Sequence, residues 1–247
     1  MAISMKLLLR LVLLLVLGLG LFAGYLALAP APIDPVAWDP PPVPAMTGPL
    51  APNERMAGAT ILAAGKIDGP EDVETDAQGR VYGGTNAGEV LRLDGDALEV
   101  FANTGGRPLG LDFAPSGALI VADAKKGLLS VSPAGEVSTL VDTVDGVRLG
   151  FTDDVAVASD GTIYFTDASD KFGFGDHMLD LLEGRPHGRL IKYDPQTKTS
   201  TVLAKDLYFA NGVALSGDES FLAVNETYRY RISRHWLKGP RRARPTC

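Results

Sequence analysis

At 247 residues, with 46% hydrophobic and 21% charged side chains, the chain has room for one or two domains and is too apolar to be disordered throughout. Its net charge of -7 argues against a nucleic-acid partner, because phosphate binding needs a concentrated basic surface and the arginines cluster only at the extreme C-terminus. The single cysteine, Cys247, can close no intramolecular disulfide, so cysteine content leaves the redox compartment open.

The first predicted element is apolar. Lys6 and Arg10 precede residues 11–29, LVLLLVLGLGLFAGYLALA, a run of 19 residues without a charge and close to the ~20 that an α-helix needs to cross a bilayer. With positive charge on the short N-terminal side, a signal-anchor or transmembrane segment over 1–29 leaves that end in the cytoplasm and places the rest on the non-cytoplasmic side, whether periplasmic, lumenal or extracellular. A cleaved signal peptide competes, since Ala27-Leu28-Ala29 resembles a cleavage site; the length of the run and Pro30 weigh against it. A helix buried in a soluble core is the third reading. Residues 30–60 form a linker opening with PAPIDPVAWDPPPVPAMTGPLAP, whose prolines deny the backbone its donors and favour a semi-rigid, solvated spacer, with Trp38 as the one side chain suited to pack on a domain.

Beyond it a pattern recurs. Residues 150–169, GFTDDVAVASDGTIYFTDAS, alternate at Val155 and Val157, turn at Ser159-Asp160-Gly161 and resume with Ile163-Tyr164-Phe165, which reads as a tight β-hairpin. GPEDVETDAQGRVYGG from Gly69, RPLGLDFAPSGALIVAD from Arg107 and FANGVALSGDESFLAVNE from Phe209 follow the same plan. With Gly79, Gly117, Gly161 and Glu219 as equivalent turn positions the periods are 38, 44 and 58 residues, the last lengthened by an insertion after Asp170. Periods near ~40 residues built of short strands predict propeller blades over 61–240.

Side chains at the starts of such strands converge on a central channel, where several blades can each offer an oxygen to one ion. Glu71, Asp153 and Asn211 occupy matched places in three repeats, a set of hard oxygen donors; turn and capping roles are the alternative for residues of these types. His177, His187 and His235 show no zinc-ligand spacing.

From Gly69 to Pro240 the chain resembles the strictosidine synthase-like family, which includes the adipocyte plasma membrane-associated proteins, and more distantly the paraoxonases and the senescence marker protein/gluconolactonase family. The resemblance is carried by GPEDVE at 69–74, GRPLGLDF at 106–113, DGTIYFTDAS at 160–169, GRLIKYDP at 188–195, FANGVALS at 209–216 and NETYRYRISRHWLKGP at 225–240. It implies an all-β, six-bladed β-propeller of which about four blades are present, and in the hydrolytic branches a Ca²⁺ ion in the channel. Glu71 matches that family's first metal block and Asn211 its third, while Asp153 stands where the second usually has Asn. The gluconolactonase branch would point instead to Asp68, and a fourth ligand would lie past residue 247. Because the family continues through further blades where this chain reads RRARPTC, residues 241–247 are expected to be an atypical basic tail on a truncated, frameshifted or chain-completed propeller.

Residues 170–187, DKFGFGDHMLDLLEGRPH, carry Met178, Leu179, Leu181 and Leu182 at helical spacing between glycines, which suggests a short helix over the channel mouth. His177 is there a candidate proton-transfer group or a plain loop histidine; Arg107 and Glu226 read as ordering contacts between blades. The resemblance implies a membrane-anchored Ca²⁺-dependent hydrolase of lactones, aryl esters or phosphotriesters acting on a small-molecule substrate. Its alternatives are a metal-independent condensing enzyme of the strictosidine synthase type and a non-enzymatic binding propeller.

Overall fold

The computed structural model describes residues 4–239; the basic tail expected over 241–247 lies outside the described residues. The chain divides into two compact units, Met1–Asp34 and Pro35–Cys247.

The first unit is helix α1, Met5–Leu28. Ser4 caps it, its hydroxyl accepting the Leu7 N–H at 3.3 Å, and the helix ends just before Pro30, which cannot continue it. Its 24 residues span about 36 Å at the usual ~1.5 Å rise, enough to cross a bilayer. None of its residues is buried within its own unit.

The second unit is a run of antiparallel meanders in chain order. The first blade comprises β1 (Val73–Thr75), β2 (Val81–Gly84), β3 (Glu89–Asp94) and β4 (Ala97–Asn103), and the second β5 (Pro108–Phe113), β6 (Leu119–Asp123), β7 (Gly127–Val131) and β8 (Val137–Val141). A short hairpin follows, β9 (Thr143–Val144) with β10 (Val147–Arg148). The third blade is β11 (Thr152–Val157), β12 (Ile163–Asp167), β13 (Gly188–Asp194) and β14 (Thr199–Leu207); the fourth has β15 (Ala210–Leu215), β16 (Phe221–Glu226) and β17 (Arg231–Trp236). The first strands β1, β5, β11 and β15 touch one another in that order, so each blade leads with its innermost strand. Four blades of a β-propeller result.

The core lies between blades. Within β12, Phe165 packs toward the second blade with Ile120 and Leu128, while Tyr164 packs toward the fourth with Leu222 and Val224. Within β6, Ile120 and Val121 divide in the same way between the third and first blades. Successive side chains of a strand leave opposite faces, so a strand sandwiched between blades needs an unbroken apolar run such as Ile163-Tyr164-Phe165.

The four matched turn positions all adopt left-handed backbone: Gly79 at φ 81°, Gly117 at 82°, Gly161 at 85° and Glu219 at 52°. Glu219 departs from glycine because its side chain is used, its Oε1 accepting the Ser159 N–H of the third blade's turn at 2.7 Å. The insertion after Asp170 forms a 3₁₀ turn at Phe174–Asp176 and helix α2, His177–Glu183.

The spacer is not solvated throughout. The Val36 N–H bonds the Glu183 carbonyl at 2.9 Å, and the Trp38 ring lies 5.6 Å from that of Tyr230 with the Arg229 guanidinium 4.5 Å above it. Aromatic and cation–π contacts thus fasten residues 36–38 to the propeller, within a segment expected to be linker up to residue 60.

Candidate metal centre

Each inner strand of the second, third and fourth blades is irregular at the same place. Pairing with the next strand shifts between Pro108 and Leu111, between Thr152 and Val155, and between Ala210 and Val213. Two residues are thereby released from the ladder in each blade, Leu109-Gly110, Asp153-Asp154 and Asn211-Gly212, and a bulge of this kind re-aims the side chains it carries. Counting back from the turn positions, Glu71-Asp72 is the corresponding pair of the first blade. The three predicted ligands therefore share one structural position, where the second blade has Leu109.

Asp153 is 2% exposed and its Oδ2 is buried without a hydrogen-bond partner. Burial pushes its carboxyl well above the usual range, and the charges of Glu71, Asp154 and Asp167 push it further while Arg107 opposes them. Glu71 is exposed at the surface, yet its carboxyl is also raised, by partial desolvation first and then by Asp72, with Arg107 again opposing. Asp153 thus lies within the field of Glu71. Asn211 is half-buried, and its backbone carbonyl accepts the Thr166 hydroxyl at 2.6 Å. Asp68, the alternative first ligand, is engaged elsewhere by the Asn86 side-chain amide at 3.2 Å.

Arg107 orders this end of the channel by donating to the carbonyl of Gly69 at 2.8 Å, two residues before Glu71, and to that of Pro108 at 3.2 Å. Its guanidinium lies 5.9 Å from the Phe174 ring centre. Nearby, Phe151 meets Phe209 edge to face and Phe209 stacks on Tyr228, with centroids 5.3 Å and 4.4 Å apart, and Phe174 and His177 close against Phe151. The Tyr228 hydroxyl donates to the His177 carbonyl at 3.3 Å and is pushed up to about 12 by burial and by the charges of Asp180 and Asp153. His177 opens α2 half-buried, and its Nδ1 meets the Phe174 carbonyl at 2.7 Å.

Other acids near the axis are structural. Asp72 Oδ2 accepts the Leu111 N–H at 3.0 Å, Asp112 Oδ2 that of Val157 at 2.6 Å, and Asp154 Oδ2 that of Val213 at 2.7 Å. Each staples one blade's inner strand to the next. Burial pushes the Asp154 carboxyl up to about 7 against the two amides bonded to it. These carboxylates face a cleft of about 480 Å³ that Glu74 and Glu219 also line. Asp123, Asp167 and Glu226 close the second strand of their blades: Asp123 accepts the Arg107 N–H, Asp167 the Phe151 N–H and the Arg189 guanidinium, and Glu226 the Tyr208 N–H and Arg231. Glu226 thus has the ordering role the sequence suggested. The staples escaped sequence reasoning because their partners lie 39, 45 and 59 residues away.

Among the described residues no three His, Cys, Asp or Glu side chains form a metal-holding group. Asp153 and Asn211 at bulges, with Glu71 at the matched offset ahead of β1, make two carboxylates and an amide, a purely oxygen donor set suited to a hard cation. An orphaned buried carboxylate oxygen beside a second carboxylate fits such an ion, since a positive charge would relieve both the desolvation and the repulsion.

The meanders define a β-propeller whose inner strands carry an oxygen-bearing side chain at the same offset from the turn in three of four blades. Residues 153–240 match the family model of strictosidine synthase, and residues 48–93 that of the strictosidine synthase-like N-terminal region. The chain belongs to the strictosidine synthase-like family. It is 40% identical to strictosidine synthase-like protein 4 of Arabidopsis thaliana over 86% of this chain and 59% of that one, and 36% identical to the adipocyte plasma membrane-associated protein of Rattus norvegicus over 87% and 62%. The chain spans 53% to 62% of the length of such curated relatives. Among solved structures, a gluconolactonase from Xanthomonas campestris superposes with a TM-score of 0.57 at 22% identity, covering 70% of this chain and 58% of that one. A virginiamycin B lyase from Staphylococcus aureus superposes with a TM-score of 0.54 at 14% identity, covering 72% and 55%. At these identities the solved structures speak for the propeller alone.

Proposed function

We propose that this propeller holds Ca²⁺ through Glu71, Asp153 and Asn211 and serves as a membrane-anchored hydrolase of small lactones, aryl esters or phosphotriesters on the non-cytoplasmic side of the membrane. The supporting observation is the buried, unpartnered Oδ2 of Asp153 within the field of Glu71. When bound, the ion supplies Lewis-acid polarisation of a carbonyl or phosphoryl oxygen. The protein's own residues do the rest. Arg107 fixes the loop that presents Glu71, and Phe151, Phe174, Phe209 and Tyr228 supply an apolar wall for a hydrophobic acyl or aryl group and exclude water from it. Lys6 and Arg10 ahead of α1 support the orientation.

Calcium titration of the full chain tests this, with thermal unfolding as a second readout. Binding to the native state alone adds about 2.7 kcal/mol of stability at a hundredfold excess over Kd, which raises Tm. Asn211→Ala, and Asp153→Leu, which copies the residue of the second blade, should abolish the calcium-dependent rise. An unchanged rise in both variants removes these residues from the site, and no rise in the wild type favours a metal-free binding propeller.

A further inference from the structure

Helix α2 is built inside out. Asp180 and Glu183 are fully buried, while Met178, Leu181 and Leu182, at the i, i+3, i+4 spacing of a single face, are 43% to 60% exposed. The inward acids fix this orientation: Glu183 pairs with Lys171 Nζ at 2.5 Å through one carboxylate oxygen and with His187 Nε2 at 2.8 Å through the other. Rotating the apolar face inward would expose both acids and break both Glu183 contacts. Leu181 shares a cleft with Val36, Trp38, Arg229 and Tyr230, and Tyr230 is 77% exposed. Apolar side chains bordered by Trp, Tyr and Arg make the composition of a membrane–water interface, where amphipathic rings and snorkelling cations sit at headgroup level.

The chain itself points to the occupant. Helix α1 ends at Leu28, and by Val36 the backbone is hydrogen-bonded to the Glu183 carbonyl, on the last residue of α2. The eight virtual bonds from residue 28 to residue 36 reach no more than about 29 Å. A face of exposed leucines is therefore tethered closely to a helix of membrane-crossing length. We propose that α2, with residues 36–38 and Tyr230, forms a second membrane contact that rests on the lipid bilayer surface, independently of α1. The mouth residues His177 and Tyr228 adjoin this face, the first as the opening residue of α2 and the second through its bond to the His177 carbonyl. Substrate would then be drawn from the lipid interface.

The test uses the full chain reconstituted in phosphatidylcholine vesicles. In a Cys247→Ser background, an environment-sensitive fluorophore is placed on Leu182→Cys or, as control, on Val137→Cys, an exposed position on the outer strand of the second blade. Spin-labelled phosphatidylcholine should quench the label at 182 several-fold more than at 137, and iodide should quench it several-fold less. Adding Leu181→Glu should abolish the difference while leaving the circular dichroism spectrum unchanged. Equal lipid quenching at the two positions overturns the proposal. So does a label at 182 that is shielded from iodide yet untouched by the lipid quencher, since a second protein surface would then cover the helix.

Discussion

Replacing Asp112 with alanine tests whether the carboxylate staples hold the blades in register. Asp112 Oδ2 accepts the Val157 N–H of the next blade at 2.6 Å, and Ala leaves that amide without an acceptor in a partly buried seam. Losing a hydrogen bond to a charged acceptor and stranding its donor costs about 2 kcal/mol, which corresponds to a roughly 30-fold rise in local opening at about 1.4 kcal/mol per decade. Hydrogen exchange of a peptide covering residues 152–158 should show this acceleration, while residues 97–101 on the outer strand of the first blade stay unchanged. Asp112→Asn keeps a carbonyl acceptor and should cost less than about 1 kcal/mol. Burial raises the Asp112 carboxyl above its ordinary value, so the folded state holds that proton more tightly than the unfolded chain. This contribution to stability is complete below the ordinary range and is lost as pH rises through the folded value, so the wild type should lose stability relative to Asp112→Asn from about pH 4 upward. Equal exchange and equal denaturation midpoints for the Ala, Asn and wild-type chains would refute the reasoning.

Three further outcomes follow from the same geometry. Glu226→Ala, which leaves the Tyr208 amide without its acceptor and removes the ion pair of the solvent-exposed Arg231, should destabilise by about 1–3 kcal/mol in urea unfolding. Gly110→Ala should be far more damaging than Gly161→Ala, because a Cβ at 110 would strike Asp154, standing 2.6 Å from its Cα, whereas position 161 is open and costs only about 1 kcal/mol for its left-handed backbone. Comparing their melting temperatures decides it. Trp38→Ala should release residues 36–38, seen as new proteolytic cleavage there, with the propeller's Tm little changed.

Turns and strands were legible because local chemistry dictates them. Gly79, Gly117 and Gly161 stand where the backbone must be left-handed, and Ile163-Tyr164-Phe165 is apolar on both faces because blades cover both. Asp153 and Asn211 stand at the same offset from their turns, and that offset was readable. That it falls on a bulge that frees two residues was not readable, because a bulge shows only in pairing. The long-range acceptors of the stapled amides were hidden for the same reason. Leucines at 179, 181 and 182 announced a helix, yet its burial was decided by partners elsewhere in the loop, Lys171 and His187, which hold Glu183 beneath it.

The staples also have a direction. Asp72 grips the second blade, Asp112 the third and Asp154 the fourth, so in every case the carboxylate precedes its amide along the chain. Each sheet leaving the ribosome therefore finds its acceptor already waiting on the sheet before it. For these staples, assembly can advance in the order of translation, each new inner strand meeting an acceptor already made.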